Sequence, residues 1–108
     1  MTSEERLGGL VIFWSNQVFK LAYPVLVKLN KAKSYSGLYE NELDDDGFAY
    51  HYVRISLLEN KTEEEQRDTL LHELIHCWQY ENRKNVAHGA SFKKWCDYFK
   101  TNYGYDIK

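Results

Sequence analysis

The apolar positions of this chain change period along its length. Leu7, Leu10, Val11, Trp14, Val18, Leu21 and Ala22 recur at helical intervals, and Thr2 followed by Glu5 has the spacing of a capping box. The pattern predicts a first helix, ended by Pro24. Beyond it the period becomes two: Val25, Val27 and Leu29 alternate with Leu26, Lys28 and Asn30, and a second short run, "YSGLYEN", follows "KAKS". The acidic turn "ENELDDDG" closes on Asp46-Gly47, and "FAYHYVRIS" then alternates Ala49, His51, Val53 and Ile55 with Tyr50, Tyr52, Arg54 and Ser56. Three strands are predicted, the third antiparallel to the second.

Thr62 and Glu65 repeat the capping-box spacing, and the acids of the first turn suit the positive end of a helix dipole, so a long helix is expected from about Glu63 to about Asn82. After the connection "NRKNVAH", Phe92, Trp95, Cys96 and Phe99 mark one face of a last helix that stops near Gly104. The predicted fold class is α+β: an N-terminal helix, a small three-stranded, mostly antiparallel sheet, the long helix and a C-terminal helix. Residues 1–108 form a single domain with no repeat, low-complexity tract or linker.

Composition narrows the picture. With 44% apolar and 16% aromatic residues in 108, the chain has enough material for one packed core. A formal net charge of -2 provides no global attraction to nucleic acid. Cys77 and Cys96 sit in apolar helical patterns, not in a C-x-x-C pair, and fit reduced thiols in a reducing compartment. The start "MTSEERLGGLVIFW" is acidic where a secretory signal is basic, and no run approaches the roughly 20 apolar residues of a membrane span. These features predict a soluble, cytoplasmic protein with no membrane partner.

The candidate chemistry lies in "LLHELIHCWQY", residues 70–80. With His72 set at zero on a helical wheel, His76 falls at about 40° and Glu73 at about 100°, so the three share one polar sector. Leu70, Leu71, Leu74, Ile75, Cys77 and Trp78 occupy the opposite arc, at about 140° to 300°, as an anchoring face. Histidines at i and i+4 reach one metal ion, and a glutamate at i+1 is offset toward a water on that ion. Zinc with three protein ligands lowers the pKa of such a water to about 7 and polarises a carbonyl, and Glu73 would carry the proton to the leaving amine. The bland alternative is a helix with a chance polar stripe, but polar groups buried on so apolar a helix are costly unless something binds them.

A third ligand comes from outside the stretch. Asn82 stands six residues after His76 and Gln79 three after it, which excludes H-E-x-x-H-x-x-G-x-x-H. His88 and Asp97 are the candidates; Glu81 lies too near the helix end to swing onto the same metal. His88 is favoured, because Gly89 after it lets the backbone turn sharply at a loop-to-helix junction, whereas Asp97 fits a solvated position among Lys93, Lys94 and Lys100.

The segment "LLHELIHCWQYENRKNVAHGASFKKW", with H-E-x-x-H followed by a H-G-x-x-F box at His88, Gly89 and Phe92, resembles the SprT-like metalloprotease domains, which include the Spartan-type DNA–protein crosslink proteases. The order of helix, strands and motif helix is similar over most of the chain, while residues 70 to 95 carry the specific part. The resemblance implies a zincin-like minimal domain with one Zn2+ held by His72, His76 and His88 and Glu73 as general base. It also implies proteolysis of DNA-associated or DNA-crosslinked protein. The chain differs from many members of that family in ending at Lys108 without a cysteine zinc ribbon.

Other features read more plainly. His51 could orient substrate or stabilise an oxyanion if its strand edged the cleft, but it fits a satisfied core or surface histidine better. "LDDDG" lacks the glutamate of a calcium loop, having Val53 there, and reads as a solvated turn. Trp14, Trp78 and Trp95 read as packing, Arg54 as a partner for some carboxylate, and Lys28, Lys31 and Lys33 beside Tyr35 as a solvated strip or a local DNA contact. The expected function is a zinc-dependent endopeptidase acting on protein or peptide; the alternative is a non-catalytic zinc-stabilised DNA-binding or adaptor domain.

Overall fold

The computed structural model describes residues 2–108. Its elements in chain order are α1 (Ser3–Phe13), continued by a single π-helical stretch (Trp14–Val18), β1 (Val25–Asn30), β2 (Gly37–Leu43), β3 (Ala49–Ser56), α2 (Glu63–Glu81) and α3 (Ala90–Tyr103). The strands form one sheet in the order β1-β3-β2. The α+β class and the element order match the expectation from periodicity.

The sheet is mixed, which corrects the mostly antiparallel expectation. β2 and β3 form the expected antiparallel hairpin, with Tyr39 opposite Val53, but β1 lies on the far side of β3 and runs parallel to it, with Val27 opposite Val53. Alternation reports which face a residue occupies, not which neighbour a strand chooses, so the period of β1 does not place it. The segment from β1 to β2 crosses the end of β3 and is tied there by Ser56, which is fully buried. Its backbone N–H donates to Ser36 O at 2.9 Å and its hydroxyl to Ala32 O at 2.6 Å. The hairpin turn is closed by Asp44, whose side chain accepts from Asp46 N (2.9 Å) and Phe48 N (2.8 Å), with Gly47 at φ +85°. "LDDDG" is thus a solvated turn.

The first helix ends earlier than Pro24. After Phe13 the ladder widens into the π-helical stretch, and the chain then closes with Leu21 N donating to Ser15 O at 2.9 Å while Lys20 takes φ 55°. This left-handed closure, which favours glycine, puts Leu21 and Ala22 outside the helix. Lys20→Gly is therefore expected to raise stability by up to about 1 kcal/mol, read as a higher urea midpoint at unchanged m-value.

All three helices contribute to one core against one sheet face. Leu70, Leu71, Leu74 and Ile75 of α2 are fully buried, with Leu7, Val11 and Trp14 from the N-terminal helix, Val53 and Ile55 from β3, and Phe92 and Phe99 from α3. Trp78 and Trp95 pack on this core half-buried. Each wholly buried aliphatic or aromatic side chain contributes about 1.5–3 kcal/mol of transfer free energy, so α2 is held on nearly every side. No helix among the described residues is long and apolar enough to cross a membrane. Cys77 (buried) and Cys96 (half-buried) are free thiols.

Candidate metal centre

The centre is built on α2, and local chemistry fixes where that helix begins. Thr62 Oγ1 accepts from Glu65 N at 3.1 Å and Glu65 Oε1 accepts from Thr62 N at 2.9 Å, a complete capping box. Just before it the buried Asn60 joins three segments. Its amide donates to Ser36 O (2.9 Å) and Ser56 O (2.8 Å), and its Oδ1 accepts from the Thr69 hydroxyl (2.6 Å). This knot brings the start of β2 against the middle of α2. At Gly37 the approach is so close that an added Cβ would lie 2.6 Å from Thr69 Cγ2 and 2.8 Å from Glu73 Oε2. Glycine is required there by contact, not by φ.

His72, His76 and His88 converge. One ring nitrogen from each lies within 4.8 Å of the others, and His72 Nε2 and His88 Nε2 are 3.0 Å apart. Phe92, the aromatic of the H-G-x-x-F box, packs against all three imidazoles with ring centroids at 4.7, 5.3 and 4.8 Å. His72 donates its Nδ1–H to the Lys108 carbonyl, and His76 Nδ1 lies 2.8 Å from Gln79 Oε1. These imidazoles thus reserve one ring nitrogen for the protein and turn the other toward the shared space. Tetrahedral zinc with nitrogen ligands at about 2.0–2.1 Å needs donor atoms roughly 3.3 Å apart; the His72–His88 pair is near that spacing, and the three histidines together could hold a metal ion. Asp97 is exposed on α3 and not among the converging donors.

Burial sets the protonation of the cluster. Desolvation lowers the His72 pKa to about 4, against the hydrogen bond to Lys108 and with help from its two histidine neighbours. His76 is lowered for the same first reason. Both are therefore neutral near pH 7, the form that ligates metal. Glu73 is 5% exposed, and burial alone pushes its carboxyl up to about 8. Its Oε2 stands 3.9 Å from His72 Nε2 and faces a cleft of about 420 Å³ bounded by Ser36, Gly37, Asn60, Thr69 and His72. A larger groove, about 800 Å³, lies behind the His88 loop between Trp78, Trp95 and Tyr98 and contains none of these donors.

With that geometry in view, comparison with protein families is decisive: the SprT-like family model matches residues 10–108, essentially the whole described chain. The chain belongs to the SprT-like family. That family is associated with metallopeptidase-type, zincin-like domains, and the histidine cluster of this SprT-like domain could hold a metal ion. Comparison with individually curated proteins gave no match.

The remaining polar groups take other places. His51 is fully buried and uses both ring nitrogens, Nδ1 with the Tyr39 hydroxyl at 2.8 Å and Nε2 with Glu81 Oε2 at 2.6 Å. It is a satisfied core histidine with no face toward substrate. Glu81 turns away from the metal donors and also accepts from Ala22 N (2.6 Å) and Tyr23 N (3.0 Å). Arg54 pairs with Glu40 and stacks over Tyr52 at 4.5 Å. Lys28, Lys31 and Lys33 are exposed. Gly37, Asn60, Gln79 and the Lys108 carbonyl support the centre without belonging to any motif. Gln79 leaves a faint local signal, a polar position one turn beyond His76 between the apolar Trp78 and Tyr80.

Proposed function

We propose that this SprT-like domain is a zinc-dependent endopeptidase. The observation that carries the reading is the convergence of three imidazoles beside a buried carboxyl, Glu73, which shares its cleft with one of them, His72. His72, His76 and His88 would hold the ion. A divalent ion there supplies Lewis acidity, which lowers the pKa of water to about 7, polarises a scissile carbonyl and draws the Glu73 carboxyl back toward its ionised form. Glu73 Oε2 then accepts a proton from the attacking water and delivers it to the leaving amine nitrogen. Gly37 and Thr69 confine the Glu73 side chain from the strand side and its own helix, which limits the rotamers it can adopt. DNA-associated or DNA-crosslinked protein is the substrate class supported by the family resemblance, with the exposed Lys28, Lys31 and Lys33 as the available basic strip.

The test is removal and return of metal. Chelated protein is expected to lose cleavage of a denatured protein substrate entirely and to regain it with about one equivalent of Zn2+ per chain. Parallel reactions with single-stranded DNA, on free and on DNA-crosslinked protein, ask whether nucleic acid directs the activity. Zinc-loaded protein that binds DNA but leaves every protein substrate intact would favour the adaptor reading instead.

A further inference from the structure

From the contacts of one side chain we infer that Gln79 is a positioning residue that couples the two halves of the metal centre, fixing the tautomer of His76 and docking the loop that carries His88. The inference rests on the metal-centre reading above and adds what assembles that centre.

Gln79 is fully buried, on α2 one turn past His76. Its amide makes three contacts: Oε1 lies 2.8 Å from His76 Nδ1, and Nε2 donates to Ala87 O at 2.9 Å and to Ser91 Oγ at 2.9 Å. Ala87 immediately precedes His88 and Ser91 lies in the first turn of α3, so a single NH2 grips the chain on both sides of the third ligand. The other ties from this loop to α2 lie at its start or at the ligand itself. Gly89, the N-cap of α3, offers no side-chain cap and residues 82 to 90 are exposed; Asn82 N donates to Trp78 O (3.0 Å), Arg83 N to Tyr80 O (3.2 Å) and Lys84 N to Gln79 O (2.8 Å), and His88 Nε2 meets His72 Nε2 at 3.0 Å.

The chemistry of the partners settles the proton positions. The Ala87 carbonyl can only accept, so the NH2 of Gln79 must face it, and the atom facing His76 must be the amide oxygen, also an acceptor. His76 Nδ1 therefore carries the hydrogen. Its Nε2 is left with a lone pair, on the side of the ring not used by the protein. This is the tautomer-setting arrangement by which groups around a ligand orient it, and losing such a partner typically costs about 10–100-fold in metal affinity. No other side chain substitutes simply. Glutamate could accept from His76 but would set a carboxylate oxygen against the Ala87 carbonyl, and methionine keeps the volume while making none of the three bonds.

Two measurements decide. Zinc affinity of Gln79→Met, by competition with a chromophoric chelator, is expected to fall about 10–100-fold below that of the parent. The melting temperature of the metal-free variant is measured alongside. A variant that melts lower but binds zinc within about twofold of the parent would make Gln79 merely structural and overturn the inference. The second measurement needs no variant: long-range nitrogen–proton NMR of the metal-free parent should find His76 protonated at Nδ1 and bare at Nε2. The opposite tautomer overturns the inference even if Gln79→Met does not fold. A parent that takes up no zinc overturns the proposed function along with this one, whereas a zinc-binding parent with an unaffected variant overturns this one alone.

Discussion

Replacing Glu73 with glutamine is expected to reduce peptide hydrolysis about 10³-fold while one zinc per chain stays bound. The amide keeps the shape and burial of the side chain between Gly37, Thr69 and His72 but cannot take a proton from water. Measuring kcat/KM on a quenched-fluorescence peptide together with metal content separates this from loss of the site. A variant that cleaves as fast as the parent would remove Glu73 from the mechanism.

The same substitution has a second consequence in the metal-free protein. Burial raises the Glu73 pKa to about 8 from an ordinary 4.5, so between those values the folded chain holds a proton that the unfolded chain has released. Stability must then fall as pH rises from about 4.5 through 8, by about 3 kcal/mol at pH 7. Glu73→Gln removes the titrating group, so the metal-free variant should be the more stable protein at neutral pH, with a flatter denaturation midpoint across this range. His72 acts in the opposite direction at lower pH. Its folded pKa of about 4 lies below the ordinary 6.5, so its contribution is full above 6.5 and is lost as pH falls toward 4.

What the sequence disclosed and what it concealed divide along the line between local and distant contact. The i, i+4 histidines, the Thr62–Glu65 capping box and the junction at Gly89 where α3 begins are each defined within one turn of helix or one junction, and residue spacing expresses them directly. The parallel pairing of β1 with β3, by contrast, depends on where Ala32 and Ser36 meet Ser56. The early end of the first helix depends on Lys20 accepting a positive φ, which its identity does not announce. Within the centre, the three histidines that converge are readable because a candidate metal site requires particular side chains. The residues that orient them are not: Lys108 acts through its carbonyl, Gly37 through having no Cβ, and Gln79 through an amide whose partners lie in the loop and on α3.

His51→Ala is expected to destabilise the protein by about 3–5 kcal/mol without lowering the turnover of the molecules that remain folded. His51 is fully buried on β3 and joins Glu81, at the end of α2, to Tyr39 on β2. Removing it strands a nearly buried carboxylate that keeps its two backbone donors but loses its only ring partner, and it leaves the Tyr39 hydroxyl facing a void. Domains of this size have roughly 5–15 kcal/mol in total, so the variant should show a large loss of thermal stability. Glu81→Gln, which keeps an acceptor for Ala22 N and Tyr23 N, should cost less, and the double variant less than the sum, because both substitutions break one network. The separation from chemistry follows from position. The nearest link to the metal donors runs through Tyr39, whose ring centroid is 6.4 Å from that of His76 and whose hydroxyl is already engaged by His51. A His51 variant of parental stability but with abolished turnover would reverse this assignment and return the histidine to the cleft. A variant that unfolds readily yet cleaves normally when folded would fix its role as a brace between the sheet and the helix that carries His72 and His76.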